Sequence, residues 1–271
     1  MWMLLAASLL VSGFDRRVAL FLLLVATVWA GYSGVLQPAG VGVMAVLAIM
    51  ALLLHRYRQI GAVAVGAELG LLFIAINLLS HFAPGFNNLR VLDQVRVGEM
   101  SAPFSMYYNF DKALLPFVFL AIIPSLFATR PLRHAQRRHW LLLIVSLPVL
   151  LLLATVAGGL KIEMHFPQWF GQFFLANLFF VSLAEEALFR GYLQRRLSQL
   201  IGPLAGLLAS AVLFGISHLA GGALLVGFAT VAGVIYGLAW MWSGRLWVAT
   251  LFHFALNLLH LLFFTYPAYR P

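Results

Sequence analysis

Long apolar runs separated by short polar loops form the main pattern of this chain. Most runs are about 16 to 20 residues long, close to the roughly 20 residues that cross a bilayer as a helix. Trp2–Val11 is apolar but short, and we expect it to lie half inserted or at the membrane interface. Nine runs are predicted to be membrane helices: 18–36, 39–54, 60–79, 113–128, 140–157, 169–199, 204–219, 223–242 and 246–264.

The composition agrees with this pattern. Hydrophobic residues make up 63% of the 271 residues, charged residues only 9%, and the mean hydropathy is +0.98. A soluble domain would carry roughly 25% charged residues. We therefore predict an all-α fold, a polytopic membrane helical bundle with about eight or nine transmembrane helices. The absence of cysteine excludes disulfides, thiolate catalysis and cysteine-ligated zinc.

The basic residues indicate the orientation of the helices rather than a nucleic-acid partner. The net charge is +9, but the basic residues cluster in short loops, as cytoplasmic loops do. If Arg16 is cytoplasmic, alternation places 12 of the 17 basic residues on or near that side, and the C-terminus on the other. The opposite side then holds Arg90, Arg96, Lys112, Lys161 and Arg270.

Two polar stretches interrupt the apolar pattern. Residues 81–112 are predicted to be an external loop that contains an interfacial helix and connects its neighbours. Residues 130–139 are strongly basic, which contact with anionic lipid headgroups explains. We find no internal repeat and no low-complexity linker.

Ionisable residues in the last hundred positions carry the chemistry. Glu185, Glu186 and Arg190 lie in an otherwise apolar run, where charge is costly and indicates function. Glu186 and Arg190 are four residues apart and can pair on one helix face. Glu185 points about 100° away and has Phe189 four residues on, so we predict that Glu185 is available. An ion cluster that only packs helices is the alternative.

His218 is predicted to lie near Glu185. Glu185 lies 16 residues before Ile201 and His218 lies 17 residues after it, across a tight turn. At 1.5 Å per residue, both sit roughly 25 Å along antiparallel helices, where they can hold one water between them. A buried histidine that serves only the core is the alternative.

The last helix supplies a third polar group. His253 and Asn257 share a face, with His260 three residues further on. We expect Glu185, His218, His253 and Asn257 to line one cavity below the cytoplasmic face. A base that activates water and neutral or cationic donors to an oxyanion suit amide hydrolysis. Interhelical hydrogen bonding is one alternative. Zinc ligation by Glu, His and His is another, although the usual helical zinc pair is missing.

These residues resemble the three motifs of the CPBP family, also called the Abi or type II CAAX prenyl endopeptidase family. The motifs are Glu185-Glu186-x-x-x-Arg190, Phe214-x-x-x-His218 and His253-x-x-x-Asn257, within roughly residues 165–265. The resemblance implies an intramembrane glutamic peptidase without a cofactor or a metal. It implies that Glu185 and His218 activate water, that His253 and Asn257 form the oxyanion site, and that Glu186 and Arg190 support them.

The resemblance also implies a division of the chain. Residues 1–160 would hold the N-terminal transmembrane helices and the external loop, and residues 161–271 the catalytic helical core. The substrate would be a peptide or membrane protein, cleaved near the cytoplasmic face. Compact loops and the lack of a targeting sequence suggest a prokaryotic inner membrane. A catalytically silent scaffold or bacteriocin-immunity protein of the same fold stays an alternative, as does a proton-coupled transporter, although repeated halves and broken helices are not evident.

Overall fold

The computed structural model describes residues 1–270 and consists of helices with one small β-hairpin. The helix that carries the two glutamates is continuous from Phe170 to Ile201. The elements in chain order are α1 (Trp2–Val11), α2 (Arg16–Tyr32), α3 (Pro38–Arg56), α4 (Gly61–Leu79), β1 (Leu89–Val95), β2 (Phe104–Tyr108), α5 (Phe110–Ala113), α6 (Leu115–Ile122), α7 (Arg137–Val156), α8 (Phe170–Ile201), α9 (Pro203–Ile216), α10 (Gly222–Ser243) and α11 (Leu246–Phe263).

The long helices confirm an integral membrane protein of the helical class. Within residues 1–270, six segments are long and apolar enough to cross a bilayer: Pro38–Arg56, Gly61–Leu79, Arg137–Val156, Phe170–Ile201, Leu219–Ser243 and Leu246–Phe263. Helices α2 and α9 are shorter, at 17 and 14 residues. The predicted count of eight or nine spanning helices is therefore not confirmed.

The predicted span 113–128 is replaced by two short helices, α5 and α6. Helix α6 has only eight residues and carries Pro116 in its first turn, where a missing N–H costs nothing. It ends at Ile122 because Pro124 forces the residue before it out of the helical region. Ile123 has the expected extended backbone, with φ −119° and ψ 94°. Most of the apolar run is buried, but its prolines limit the helix, so the predicted span is wrong.

Residues 81–112 form a hairpin rather than the expected interfacial helix. Strands β1 and β2 pair antiparallel, with Leu89 opposite Tyr108 and Val95 opposite Phe104. The amide of Ala102 donates to Ala268, so the hairpin connection also contacts the C-terminal segment. The loop therefore covers the end of the bundle at which α11 finishes.

The short N-terminal helix α1 packs against α2. Its Leu5 and Leu9 side chains are fully buried, and the Ser8 hydroxyl donates to the carbonyl of Ala19. The main apolar core runs from Leu5 to Leu246, so residues before and after position 160 share it. The outer faces of the helices keep many large apolar side chains exposed, as lipid-facing surfaces do.

Arginines from distant parts of the chain meet at one end of the bundle. Arg16 donates to the carbonyl of Pro124, and Arg58 donates to that of Ile122 at 3.3 Å. Arg195 donates to the hydroxyl of Ser125 at 2.9 Å. These contacts place Arg16, Arg58 and Arg195 at one end of the bundle, as predicted, and we call it the arginine end. Its assignment to the cytoplasm stays a prediction.

Candidate active site

Helix α8 departs from α-helical geometry around the two glutamates. Residues Ala176–Ser182 and Ala187–Gln194 form π-helical stretches, and the α-helical turn Leu183–Glu186 lies between them. Such π-helical segments are rare and occur frequently at functional sites. They widen the helix locally and change which residues share a face.

Glu186 lies at the centre of a buried cluster of charges. Its Oε1 atom accepts from Arg190 Nη1 at 3.0 Å and lies 2.9 Å from Nδ1 of His253. Both Glu186 and Arg190 are fully buried, and His253 is nearly so. The predicted pair of Glu186 with Arg190 is thus confirmed. The contact with His253 was not predicted, because it joins residues that are 67 positions apart.

Aromatic rings and a backbone carbonyl surround the buried guanidinium of Arg190. Its Nη2 atom donates to the carbonyl of Gly233 on α10 at 2.9 Å. The guanidinium carbon lies 4.7 Å from the ring centroid of Phe214 and 5.3 Å from that of Tyr236. Cation–π attraction of this kind is stronger in a desolvated setting than at a surface. Arg190 therefore holds α8, α9 and α10 together.

The ring of His253 is fixed on two sides. It stacks on Tyr236 with centroids 4.7 Å apart and an angle of 12° between the planes. Its Nδ1 atom faces Glu186, so Nε2 is the ring nitrogen left for other partners. A carboxylate on one nitrogen commonly fixes the orientation in which the other works.

Glu185 has a cationic neighbour that the sequence did not indicate. The Nζ atom of Lys112 lies 4.0 Å from Glu185 Oε1, and both side chains are mostly buried. The sequence predicted that Lys112 lies in an external loop, but it belongs to the short helix α5. Asp111 beside it is buried and accepts hydrogen bonds from Asn88. The sequence predicted that Glu185 is available because it has no partner four residues on, and Lys112 is a charged neighbour from another element.

His218 follows the C-terminal end of α9, which finishes at Ile216 and not at residue 219 as predicted. Its Nδ1 atom lies 2.8 Å from the carbonyl of Phe214 and 3.2 Å from the Ser217 hydroxyl. A carbonyl can only accept, so Nδ1 carries the proton in that bond and Nε2 of the neutral ring is an acceptor. The histidine is thus in the tautomer that a base requires.

Asn257 pairs with an asparagine that sequence reasoning missed. Its Nδ2 atom donates to Asn177 Oδ1 at 3.1 Å, and Ser182 donates to the same oxygen at 3.2 Å. Asn177 and Ser182 are five residues apart, so they would point about 140° apart in a regular α-helix. The π-helical stretch brings them together, and no sequence pattern in our reading signalled it.

A cavity of about 530 Å³ contains three of the predicted site residues, namely His218, His253 and Asn257. His260 also lines it, and its Nε2 atom lies 3.0 Å from the carbonyl of Thr265. Most of the remaining lining is apolar, from α7 and α10. Glu185 is not among the residues that line the cavity, although it directly precedes Glu186 in the same turn. Of the four residues predicted to line one cavity, His218, His253 and Asn257 do so and Glu185 does not.

The cavity extends away from the arginine end. Its lining includes Gly159, which follows α7, and Pro267, which follows α11. Both lie at the hairpin end of the bundle, whereas the sequence predicted a cavity next to the arginine side. The prediction counted the depth of His253 from Arg245 and that of Glu185 from Arg195, which gave roughly 12 and 15 Å. His253 is in fact roughly half-way along its 18-residue helix. The site is therefore about as far from one end as from the other.

The residues proposed as zinc ligands do not gather into one set. Across residues 1–270, no three His, Asp or Glu side chains come together as a metal site requires. Glu186 and His253 are in contact, while His218 is bonded to its own helix. The arrangement is that of separate polar groups around a cavity.

The comparison with known proteins assigns the same segment. Residues 167–259 match the model of a family described as type II CAAX prenyl endopeptidase Rce1-like. The matched segment includes all six motif residues: Glu185, Glu186, Arg190, His218, His253 and Asn257. No curated protein and no solved structure matches the chain.

Proposed function

We propose that this integral membrane protein is an intramembrane glutamic endopeptidase, similar to the family of proteases described as type II CAAX prenyl endopeptidase Rce1-like, whose model matches residues 167–259. One observation carries the proposal. His218, which follows α9, lines one cavity together with His253 and Asn257 of α11, beside the turn that holds Glu185 and Glu186. A polar set of this kind is costly inside a membrane unless it serves a function.

The proposed reaction begins with water activated by Glu185 and His218. Water attacks the carbonyl carbon of the scissile bond, and its proton passes to these two groups. Nε2 of His218 is suited to accept it, since Nδ1 is occupied by the Phe214 carbonyl. The tetrahedral intermediate then collapses, the C–N bond breaks, and the proton moves to the leaving amine. General acid–base assistance of this kind contributes typically 10²–10⁴-fold.

His253 and Asn257 are the proposed oxyanion donors. Glu186 occupies Nδ1 of His253, which leaves Nε2 as the ring nitrogen that can donate to the developing negative charge. Asn257 is held by Asn177, so its amide orientation is fixed before substrate binds. Donors that are already oriented cost no reorganisation during the reaction. Glu186 and Arg190 act as support in this scheme.

The apolar lining favours a hydrophobic peptide or a segment of a membrane protein as substrate. Leucines of α7 and α10 form much of the cavity wall: Leu150, Leu151, Leu224 and Leu225. The family description covers prenylated CAAX tails, but the lining suits an unmodified membrane segment equally. The compact loops favour a prokaryotic inner membrane as the location. The proposal takes the arginine end as cytoplasmic, and the substrate reaches the mid-membrane site from that face.

The alternative is a catalytically silent scaffold or immunity protein of the same fold. Such a protein has no use for two histidines, His218 and His253, that each keep a ring nitrogen available beside a cavity in the membrane. The complete motif set therefore favours the enzyme.

A cleavage screen in proteoliposomes tests the proposal. Purified protein is reconstituted with single-span peptides, half of them carrying a C-terminal farnesylated CAAX sequence, and mass spectrometry reads the new termini. The proposal expects cleavage with wild type and with Glu99→Gln, an acid outside the site. It expects none with Glu185→Gln. The absence of new termini in every peptide class, or equal products from Glu185→Gln, would reject it.

A further inference from the structure

Two cavities meet at the arginine end, away from the candidate active site. One has a volume of about 680 Å³ and is rich in charged side chains. The other has a volume of about 850 Å³ and lies between α2, α3 and α6. Arg16, Arg58 and Pro124 line both of them, so the polar and the apolar cavity adjoin at these residues.

The polar cavity has a strong positive balance. It is lined by four arginines and one carboxylate, a formal sum of +3: Arg16, Arg58, Arg195, Arg196 and Glu68. Glu68 is already paired, because Arg196 Nη2 lies 2.7 Å from its Oε1 atom. The charge of the other three arginines is therefore not neutralised by this carboxylate, and the cavity attracts an anion.

The arginines keep donors for a ligand. A guanidinium has five N–H groups. Arg16 and Arg58 each donate one to a backbone carbonyl, those of Pro124 and Ile122. These bonds fix the direction of the side chains, while the remaining N–H groups can donate to two oxygens of a phosphate.

The second cavity suits an acyl chain. Its wall is mostly apolar, and Ala48 and Ala51 of α3 leave it space. Leu20, Leu23, Met44, Leu47, Phe117 and Leu120 complete the apolar wall. His55 and Arg56 lie with the shared arginines at the same end of α3, so the charge is confined to one end of the groove.

We propose that this double cavity binds one anionic phospholipid, with its phosphate on Arg16 and Arg58 and an acyl chain along α3. Basic pockets between transmembrane helices at a membrane face bind anionic headgroups in this way. A free phosphate would leave the apolar groove empty. A zwitterionic lipid would leave the positive balance uncompensated. An amphiphile with a net negative headgroup matches both parts.

Native mass spectrometry of the full chain in detergent tests this proposal. The probes are phosphatidylglycerol, phosphatidylcholine and glycerol 3-phosphate, titrated separately. We expect wild type to retain one phosphatidylglycerol more tightly than phosphatidylcholine, and to bind glycerol phosphate far more weakly. Arg16→Gln should weaken phosphatidylglycerol binding about fivefold, the value of one arginine at a membrane surface. Arg17→Gln is the matched control, because this exposed neighbour does not line either cavity.

Ala48→Trp separates the lipid site from a folding defect. It fills the groove without removing a charge, so it should also weaken phosphatidylglycerol binding, whereas Ala45→Trp on the exposed surface of the same helix should not. Equal retention of both lipids by wild type would overturn the proposal. So would an equal effect of Arg16→Gln and Arg17→Gln, or phosphate binding as tight as lipid binding.

Discussion

The buried charges of Glu186 and Arg190 define the site at the scale of single residues. Removing one partner of such a pair leaves a charge in a medium that cannot solvate it. The guanidinium is shared with the Gly233 carbonyl and two aromatic rings, and the carboxylate with His253. The cluster joins α8, α9, α10 and α11, so a change there affects both stability and the position of His253.

Glu186→Gln is therefore predicted to destabilise the fold. The loss of one partner in a buried ion pair costs about 3–5 kcal/mol of unfolding free energy. Unfolding in mixed micelles, titrated with sodium dodecyl sulfate, measures it. Asp93→Asn is the control, because its pair with Arg90 is exposed and should contribute little. A Glu186→Gln variant as stable as the control would show that the pair is not a structural support.

Asn257→Ala tests the oxyanion assignment. Removal of one donor lowers the rate about 10²–10³-fold, so we expect slow residual cleavage from a protein of unchanged helix content. Turnover of the best substrate, together with circular dichroism, gives both quantities. Asn77→Ala is the control, since the Asn77 side chain donates to the Phe73 carbonyl of its own helix, outside the site. Full activity of Asn257→Ala would remove this residue from the mechanism.

The sequence predicted those site residues that interact within one turn, and missed those that depend on tertiary placement. The Glu186–Arg190 pair follows from a spacing of four. Lys112 was assigned to an external loop, because nothing in its neighbourhood indicated that α5 enters the bundle beside Glu185. Asn177 was missed because its bond with Ser182 requires a π-helical stretch, which has no recognisable pattern here.

At the scale of elements, breaks in the helices bring the polar residues together. The π-helical stretches of α8 flank the turn with Glu185 and Glu186, and Pro124 ends α6 early. The sequence predicted the existence of the long helices because their apolar runs are unambiguous. It placed a span at 113–128 because hydropathy alone gave too little weight to two prolines. The hairpin was missed because its strands lack a clear alternation.

The segment after α7 is joined through Glu163 to the hairpin connection, at the end of the bundle toward which the cavity extends. Glu163 accepts from the Ser101 hydroxyl at 2.5 Å and from the Met100 amide at 2.9 Å. Burial raises the pKa of Glu163, but these hydrogen bonds and His165 together hold that pKa below its ordinary value. Burial lowers the pKa of His165, and the Glu163 carboxylate offsets this only partly. His260 is the other titratable neighbour of His165.

The stability of the folded protein is predicted to decrease as the pH falls from 7.5 to 5.5, because of His165. Below the ordinary value of 6.5 the unfolded chain binds the His165 proton more readily than the folded chain, so unfolding is favoured. Glu163 stays ionised in this window and does not contribute. The melting temperature in detergent should therefore fall more for wild type than for His165→Asn. The exposed His134→Asn control should follow wild type. Equal slopes for all three would contradict the prediction.

At the scale of the whole molecule, the membrane class was predictable and the number of spans was not. Composition excludes a soluble domain, and six long apolar helices agree with that among residues 1–270. The length of each run could not show that α2 and α9 are short. The catalytic division at residue 160 stays a prediction. The sequence also could not predict toward which end of the bundle the cavity extends, because a cavity near mid-membrane can extend toward either end.

The mechanism requires no metal, and this is a prediction about the whole enzyme. Glu185, His218 and His253 are all assigned to water activation and oxyanion binding. Activity should therefore persist after exhaustive chelation, measured together with metal content by elemental analysis. Stoichiometric zinc in active protein, with activity lost on its removal and restored on its addition, would reverse the assignment.

The central claim is that Glu185 serves as a base in peptide hydrolysis and not as packing. The turnover number of Glu185→Gln on the best substrate from the proteoliposome screen, at matched protein levels, tests it most directly. The neutral amide keeps the size of the side chain but cannot take a proton from water. We expect turnover to fall to background while Lys112→Gln, which removes only the cationic neighbour, retains measurable cleavage. Wild-type turnover by Glu185→Gln would contradict the account and favour a scaffold.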